Sequence, residues 1–263
     1  MSRIANRFRA SRDEGRPALL AYLMAGDPSV QATEALALAC VRGGADLIEL
    51  GIPFSDPIAD GPEIQAAGAR ALKAGTRPRD VVALAARLRA QMDVPLVLMT
   101  YLNPILAMGL EAFAAKAHDA GLDGVIVPDL SLEESDDVRQ ALDAVHVDHI
   151  QLVAPSTPDE RARAIGHASR GFLYVVARYG TTGTRADLPE DLGDRLKALR
   201  RVTALPLAVG FGVSTADHVR TLARMGADGV VVGSAIVKRF AEDPRPKATE
   251  IFVRTLASGL RPR

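Results

Sequence analysis

The chain has 263 residues, with 32 basic and 32 acidic side chains, a formal net charge of zero and 48% hydrophobic residues. A neutral chain without a basic stripe excludes electrostatic capture of nucleic acid or other polyanions, so a phosphate has to be held locally, by backbone amides or single side chains. One cysteine, Cys40, leaves no pair for an intrachain disulfide, and the absence of a signal core or a bilayer-length apolar run implies the cytoplasm.

In chain order, residues 2–14 are basic and amphipathic, with Ile4, Phe8 and Ala10 as apolar members, and read as a short leading helix. Residues 18–24, ALLAYLM, form the first strand, closed by AGDP. A helix over 30–41 carries Cys40 as an inert core thiol and ends at Gly43 and Gly44. The second strand, LIELG at 47–51, runs into the loop GIPFSDPIADGP. Helices over 63–73 and 79–91 lead to a strand at 96–100, whose loop is 101–104. A helix over 110–119, a strand at 124–127, a helix over 133–144, a strand at 149–153, a helix over 158–167 and a strand at 172–176 follow. After a polar loop at 177–188 come a helix over 189–200, a strand at 207–209, a helix over 214–225, a strand at 230–232 and closing helices.

Short apolar runs alternating with helical segments require parallel strands joined by helical crossovers. Eight such units in this length make a (β/α)8 TIM barrel, one α/β domain over 1–263 with an extra N-terminal helix. Asp46, Asp123 and Asp228 each sit in a glycine-led turn just before a strand. Such turns lie at the end of a barrel opposite the chemistry, so these carboxylates read as structural. A doubly wound open sheet is the competing architecture, weakened because no glycine fingerprint follows the first strand.

Chemistry concentrates in 47–62. Strand side chains alternate, so if Ile48 and Leu50 meet helices, Glu49 points inward near the strand's carboxyl end. The loop after it has too much proline for helix or central strand and returns a second carboxylate, Asp60, to the same end. The pair suits acid/base work, although a buried Glu with an arginine partner and a capping Asp would also explain it. Near the C terminus, Gly210-Phe211-Gly212 and Gly233-Ser234-Ala235 follow the last two strands. Glycines admit close anion approach and a helix N terminus adds free donors, so these two loops read as a phosphate site; tight turns are the plainer alternative. The lysines (Lys73, Lys116, Lys197, Lys238, Lys247) fall in helical or tail segments and the histidines away from catalytic strand ends. That disfavours imine and metal-dependent aldol chemistry and leaves carboxylate catalysis.

The stretch ELGIPFSDPIADGP resembles the signature of the tryptophan synthase alpha subunit family, with the family's two catalytic carboxylates falling on Glu49 and Asp60. The resemblance covers nearly the whole chain, through YLMAGDP at 22–28, MTYLNP at 99–104 and PDLSLEE at 128–134. Met24 stands where the family has threonine, and Ser131 where it has proline. The loop after the sixth strand keeps Arg178, Gly180, Thr182 and Gly183 but departs at Ala177 and Thr181.

The resemblance implies retro-aldol cleavage of indole-3-glycerol phosphate, with Glu49 moving protons and Asp60 accepting the indole N–H. It implies phosphate binding at Gly183, Gly212, Gly233 and Ser234. Substrate contacts are implied at Tyr22, Met99, Tyr101, Ile126, Val153, Tyr174, Thr182 and Phe211, with Tyr174 orienting Glu49 and Thr182 reaching Asp60 from a closing lid. It further implies an α2β2 assembly through the rim loop 53–57, with no cofactor in this chain and pyridoxal phosphate in the partner beta subunit. A stand-alone indole-3-glycerol phosphate lyase, or a non-catalytic allosteric partner, are the alternatives.

Overall fold

The computed structural model describes residues 2–177, 188–210 and 212–260. Its strands are β1 Ala18–Met24, β2 Leu47–Gly51, β3 Leu96–Met99, β4 Gly124–Ile126, β5 Asp148–Ile150, β6 Leu152–Val153, β7 Leu173–Val176, β8 Leu207–Gly210 and β9 Gly229–Val232. All pair in parallel, in the order β5-β4-β3-β2-β1-β9-β8-β7-β6. β5 and β6 are halves of one segment parted at Gln151, so the sheet returns on itself as a (β/α)8 barrel. The expected strand at 149–153 is split because the Gln151 amide donates to the Ser169 hydroxyl at 3.0 Å rather than to a neighbouring strand.

The pleat sorts the strand residues into two layers. Leu19, Leu23, Ile48, Leu50, Leu96 and Leu98 pack outward against the helices. Leu20, Leu47, Val97, Ile126, Ile150 and Phe172 fill the barrel interior. The leading helix Arg3–Asp13 begins at Ser2, whose hydroxyl accepts the Ala5 amide. It drives Ile4 and Phe8 into the interior cluster, with the Phe8 and Phe172 rings 5.5 Å apart. The helix thus plugs the end of the barrel opposite the carboxyl ends of the strands.

Its arginines answer the turn aspartates. Arg3 pairs with Asp123, Arg7 with Asp46 at 2.7 Å and Arg12 with Asp228 at 3.5 Å. Each of the same carboxylates accepts the amide of a neighbouring strand at 2.8 Å: Asp46 from Leu19, Asp123 from Leu96 and Asp228 from Leu207. The three turns therefore have a structural role, tying each αβ junction to the start of the preceding strand.

One expectation fails at 101–104. A helix, Leu102–Met108, starts directly after Tyr101. Pro104 falls in its first turn, where the missing N–H costs no helical bond. The Leu102 amide is instead taken by the Asp129 carboxylate at 3.0 Å. No helix among the described residues is long and apolar enough to cross a membrane.

Candidate active site

Ile48 and Leu50 belong to the outer layer, so β2 turns Glu49 into the barrel, where it is 0% exposed. The following loop is folded back by Ile58 N–H to Asp56 O (2.9 Å) and Asp60 N–H to Pro57 O (3.1 Å). Glu49 and Asp60 thereby line one cavity of about 450 Å³ at the carboxyl ends of the strands. Helix Pro62–Lys73 begins two residues after Asp60, and the Gln65 side-chain amide donates to the Asp60 carbonyl at 2.9 Å.

The two carboxyl groups differ in acidity. Among the described residues neither Glu49 oxygen has a hydrogen-bond partner. Burial, and secondarily the charge of Asp60, push Glu49 up to about 8. Burial raises Asp60 to about 6, against the hydrogen bond from the Tyr101 hydroxyl, which lowers it. Near neutrality Glu49 therefore holds its proton while Asp60 is ionised. Tyr101 holds the Asp60 loop: its hydroxyl accepts the Ala59 amide at 3.0 Å and its ring stacks on Phe54, centroids 5.2 Å apart.

Tyr22 and Tyr174 are buried on β1 and β7, and their hydroxyls reach over Gly51 and Gly210, where any Cβ would overlap them. Both phenols are raised well above their ordinary range, first by burial and then by Glu49 and Asp60. Across the cavity lie Gly212, at a φ of +86° that favours glycine, together with Gly233 and Ser234. Helix Ser234–Glu242 starts here with no side-chain cap, so its first amides remain available to an anion.

Of the sequence-derived site residues, the cavity gathers Glu49, Asp60, Tyr22, Met99, Tyr174, Gly212, Gly233 and Ser234. Tyr101 stands behind the Asp60 loop rather than in the lining. Ile126 is fully buried in the barrel interior. Val153 packs in the outer layer, and Leu152, two residues after the inward Ile150, lines the cavity. Thr182, Gly183 and Phe211 lie outside the described residues. Sequence reasoning missed Glu63, Ile64, Leu130 and Arg161 in the lining. Only Ile64 carried a signal, the helical spacing of Ile64, Ala67 and Ala71.

His149 is buried, pushed down to about 4 by burial, with the Gln151 amide 3.4 Å from its Nδ1. All five lysines lie on helices, none at a strand end.

The sequence model of a family described as "Tryptophan synthase alpha chain" matches residues 8–258. The tryptophan synthase alpha chain of Synechococcus sp. (strain CC9902) is 47% identical over 240 residues, 91% of this chain and 89% of that one. That of Solibacter usitatus (strain Ellin6076) is 46% identical over 98% of both chains. Among solved structures, Mycobacterium tuberculosis tryptophan synthase superposes with a TM-score of 0.92 at 37% identity, over 100% of this chain and 99% of that chain. A chain of the tryptophan synthase a2b2 complex from Pyrococcus furiosus gives 0.87 at 42% identity, over 92% of this chain and 98% of that one.

Proposed function

The chain belongs to the tryptophan synthase alpha chain family, and from that membership we propose that its cavity cleaves indole-3-glycerol phosphate to indole and glyceraldehyde 3-phosphate by carboxylate acid/base catalysis. The observation that carries the chemistry is a pair of carboxyl groups lining one cavity in unlike surroundings: Glu49 fully buried, which pushes it up to about 8, and Asp60 held by the Tyr101 hydroxyl and raised to about 6. Protonated Glu49 delivers its proton to indole C3, turning the ring into an electrophilic indolenine. The resulting carboxylate then takes the proton of the side-chain hydroxyl next to the ring. That C–O–H becomes the aldehyde, the C–C bond breaks, and its electron pair returns to the ring as indole leaves. Ionised Asp60 accepts the indole N–H and stabilises the positive charge that develops there.

Met99, Leu152, Leu130 and the tyrosine rings supply apolar contact for the indole. The glycine loops with Gly212 and Gly233, and the helix start at Ser234, take the phosphate. From the same family membership, pyridoxal phosphate is assigned to a beta-subunit partner rather than to this chain. Ile58, at 75% exposure, puts apolar surface beside the loop 53–57, which fits docking of that partner in an α2β2 assembly. The reaction belongs in the cytoplasm, with the rest of tryptophan biosynthesis.

The test is incubation with indole-3-glycerol phosphate, with and without the cognate beta subunit. Equimolar indole and glyceraldehyde 3-phosphate support the assignment. No indole under either condition overturns it, and full turnover without the partner favours a stand-alone lyase.

A further inference from the structure

The Arg70 guanidinium grips the Asp27 carboxylate with two bonds, Nε to Oδ1 at 2.8 Å and Nη2 to Oδ2 at 2.7 Å. Asp27 is 6% exposed and belongs to the loop after β1. Arg70 lies on helix Pro62–Lys73. Neither residue lines the cavity.

That helix lies over the carboxyl end of β1 and forms one wall of the site. Its inner residues Ile64, Ala67 and Ala71 pack on Tyr22, Met24 and Val237. Gly68 leaves room for the Met24 methyl, which lies 3.6 Å from where a Cβ would stand. Just past the helix, the Thr76 side chain sits against Gly26, one residue from Asp27, so closely that no Cβ fits there. Apolar contact alone tolerates sliding and rotation; a bidentate arginine–carboxylate pair fixes direction as well as distance.

We propose that the Asp27–Arg70 pair is a positioning latch, which fixes the rotation of helix Pro62–Lys73 on the β1 loop and so holds Asp60, two residues before the helix, in its reactive place. This rests on the proposed function, since it assigns Asp60 the indole N–H. The latch acts on the Asp60 side of the cavity and leaves the Gly212 and Gly233 loops as they are. Loosening it costs turnover more than affinity, and admits water to Asp60, whose acidity then returns towards the ordinary carboxylate range.

The test is a cycle of Asp27→Asn, Arg70→Gln and the double variant, with Arg70→Lys as the conservative exchange. Each is read by kcat, KM, the pH profile and amide hydrogen exchange of 61–73. Expected are a fall in kcat of about tenfold in each single variant, KM within about twofold, and a double variant no worse than either single. The acid limb of the profile should move to lower pH, and Arg70→Lys should recover part of the loss. Faster exchange across 61–73 in Arg70→Gln is expected as well, and it reads the latch without reference to turnover. Unchanged exchange in that variant, unchanged kcat, or losses that multiply in the double variant would overturn the latch. Absence of indole from the wild-type chain would instead count against the proposed reaction.

Discussion

The Tyr22 hydroxyl lies over Gly51, in the space that a side chain on Gly51 would need. Gly51 and Glu49 share the inward face of β2, so the phenol sits just above the proposed acid. A methyl on Gly51 has to displace this ring into the cavity. Gly51→Ala should therefore lower kcat/KM by at least about tenfold and destabilise the fold by about 1–3 kcal/mol. Gly68→Ala, where the nearest atom is the Met24 methyl at 3.6 Å, should stay within about twofold of wild type. Steady-state kinetics on the two variants separate them, and equal activity would contradict the close approach.

The pH dependence follows from the acidity split. In the proposed reaction Glu49 acts protonated and Asp60 ionised, so kcat/KM should rise through about 6 and fall through about 8. Stability carries the same signature with a definite sign. The folded carboxyl of Glu49 titrates at about 8, against an ordinary 4.5. Between those values the native state keeps a proton that the unfolded chain has released, so this contribution is full at low pH and is lost as pH rises through the window. Glu49→Gln removes it. Denaturant titrations should show the variant gaining stability relative to wild type between pH 5 and pH 8; a constant difference would mean that Glu49 is not raised.

Tyr101→Phe tests the hold on Asp60. It removes the acceptor of the Ala59 amide, at 3.0 Å, and the donor to the Asp60 carboxylate. That bond lowers Asp60, so its loss should raise the acid limb of the profile. Turnover should fall by about five- to tenfold for a stability cost of about 1 kcal/mol. A pH–rate profile identical to wild type would remove Tyr101 from the support of Asp60.

Asp123→Ala should do the reverse, costing stability and sparing the chemistry. Its carboxylate accepts the buried Leu96 amide at 2.8 Å and the Arg89 guanidinium at 2.7 Å, and also pairs with Arg3. Removing it strands a buried donor and two cations at the plugged end of the barrel. We expect a loss of about 2–4 kcal/mol in urea unfolding, with turnover of the folded protein within about twofold. A variant as stable as wild type would show the turn to be incidental.

What was legible in the sequence was what repeats or alternates. The inward Glu49 followed from the apolar Ile48 and Leu50 on either side, and the structural turn aspartates from their place before strands. The break at Gln151 was not legible, because it depends on the Ser169 hydroxyl, 18 residues away. The same break sets the pleat beyond it, so that Leu152 lines the cavity while Val153 packs in the outer layer. The helix Leu102–Met108 was hidden because its start is satisfied by Asp129, 27 residues on. Nothing local in the sequence points Arg70 at Asp27, 43 residues away. In each case the deciding partner is distant in sequence, and local pattern carries no trace of it.

The most direct test of the account is indole release by Glu49→Gln, measured in a single turnover with the beta subunit present. Glutamine keeps the shape of the side chain but neither delivers a proton to C3 nor takes one from the hydroxyl. The account predicts a rate at least about a hundredfold below wild type, with indole-3-glycerol phosphate still bound. A variant retaining more than about a tenth of the wild-type rate would contradict proton transfer by Glu49.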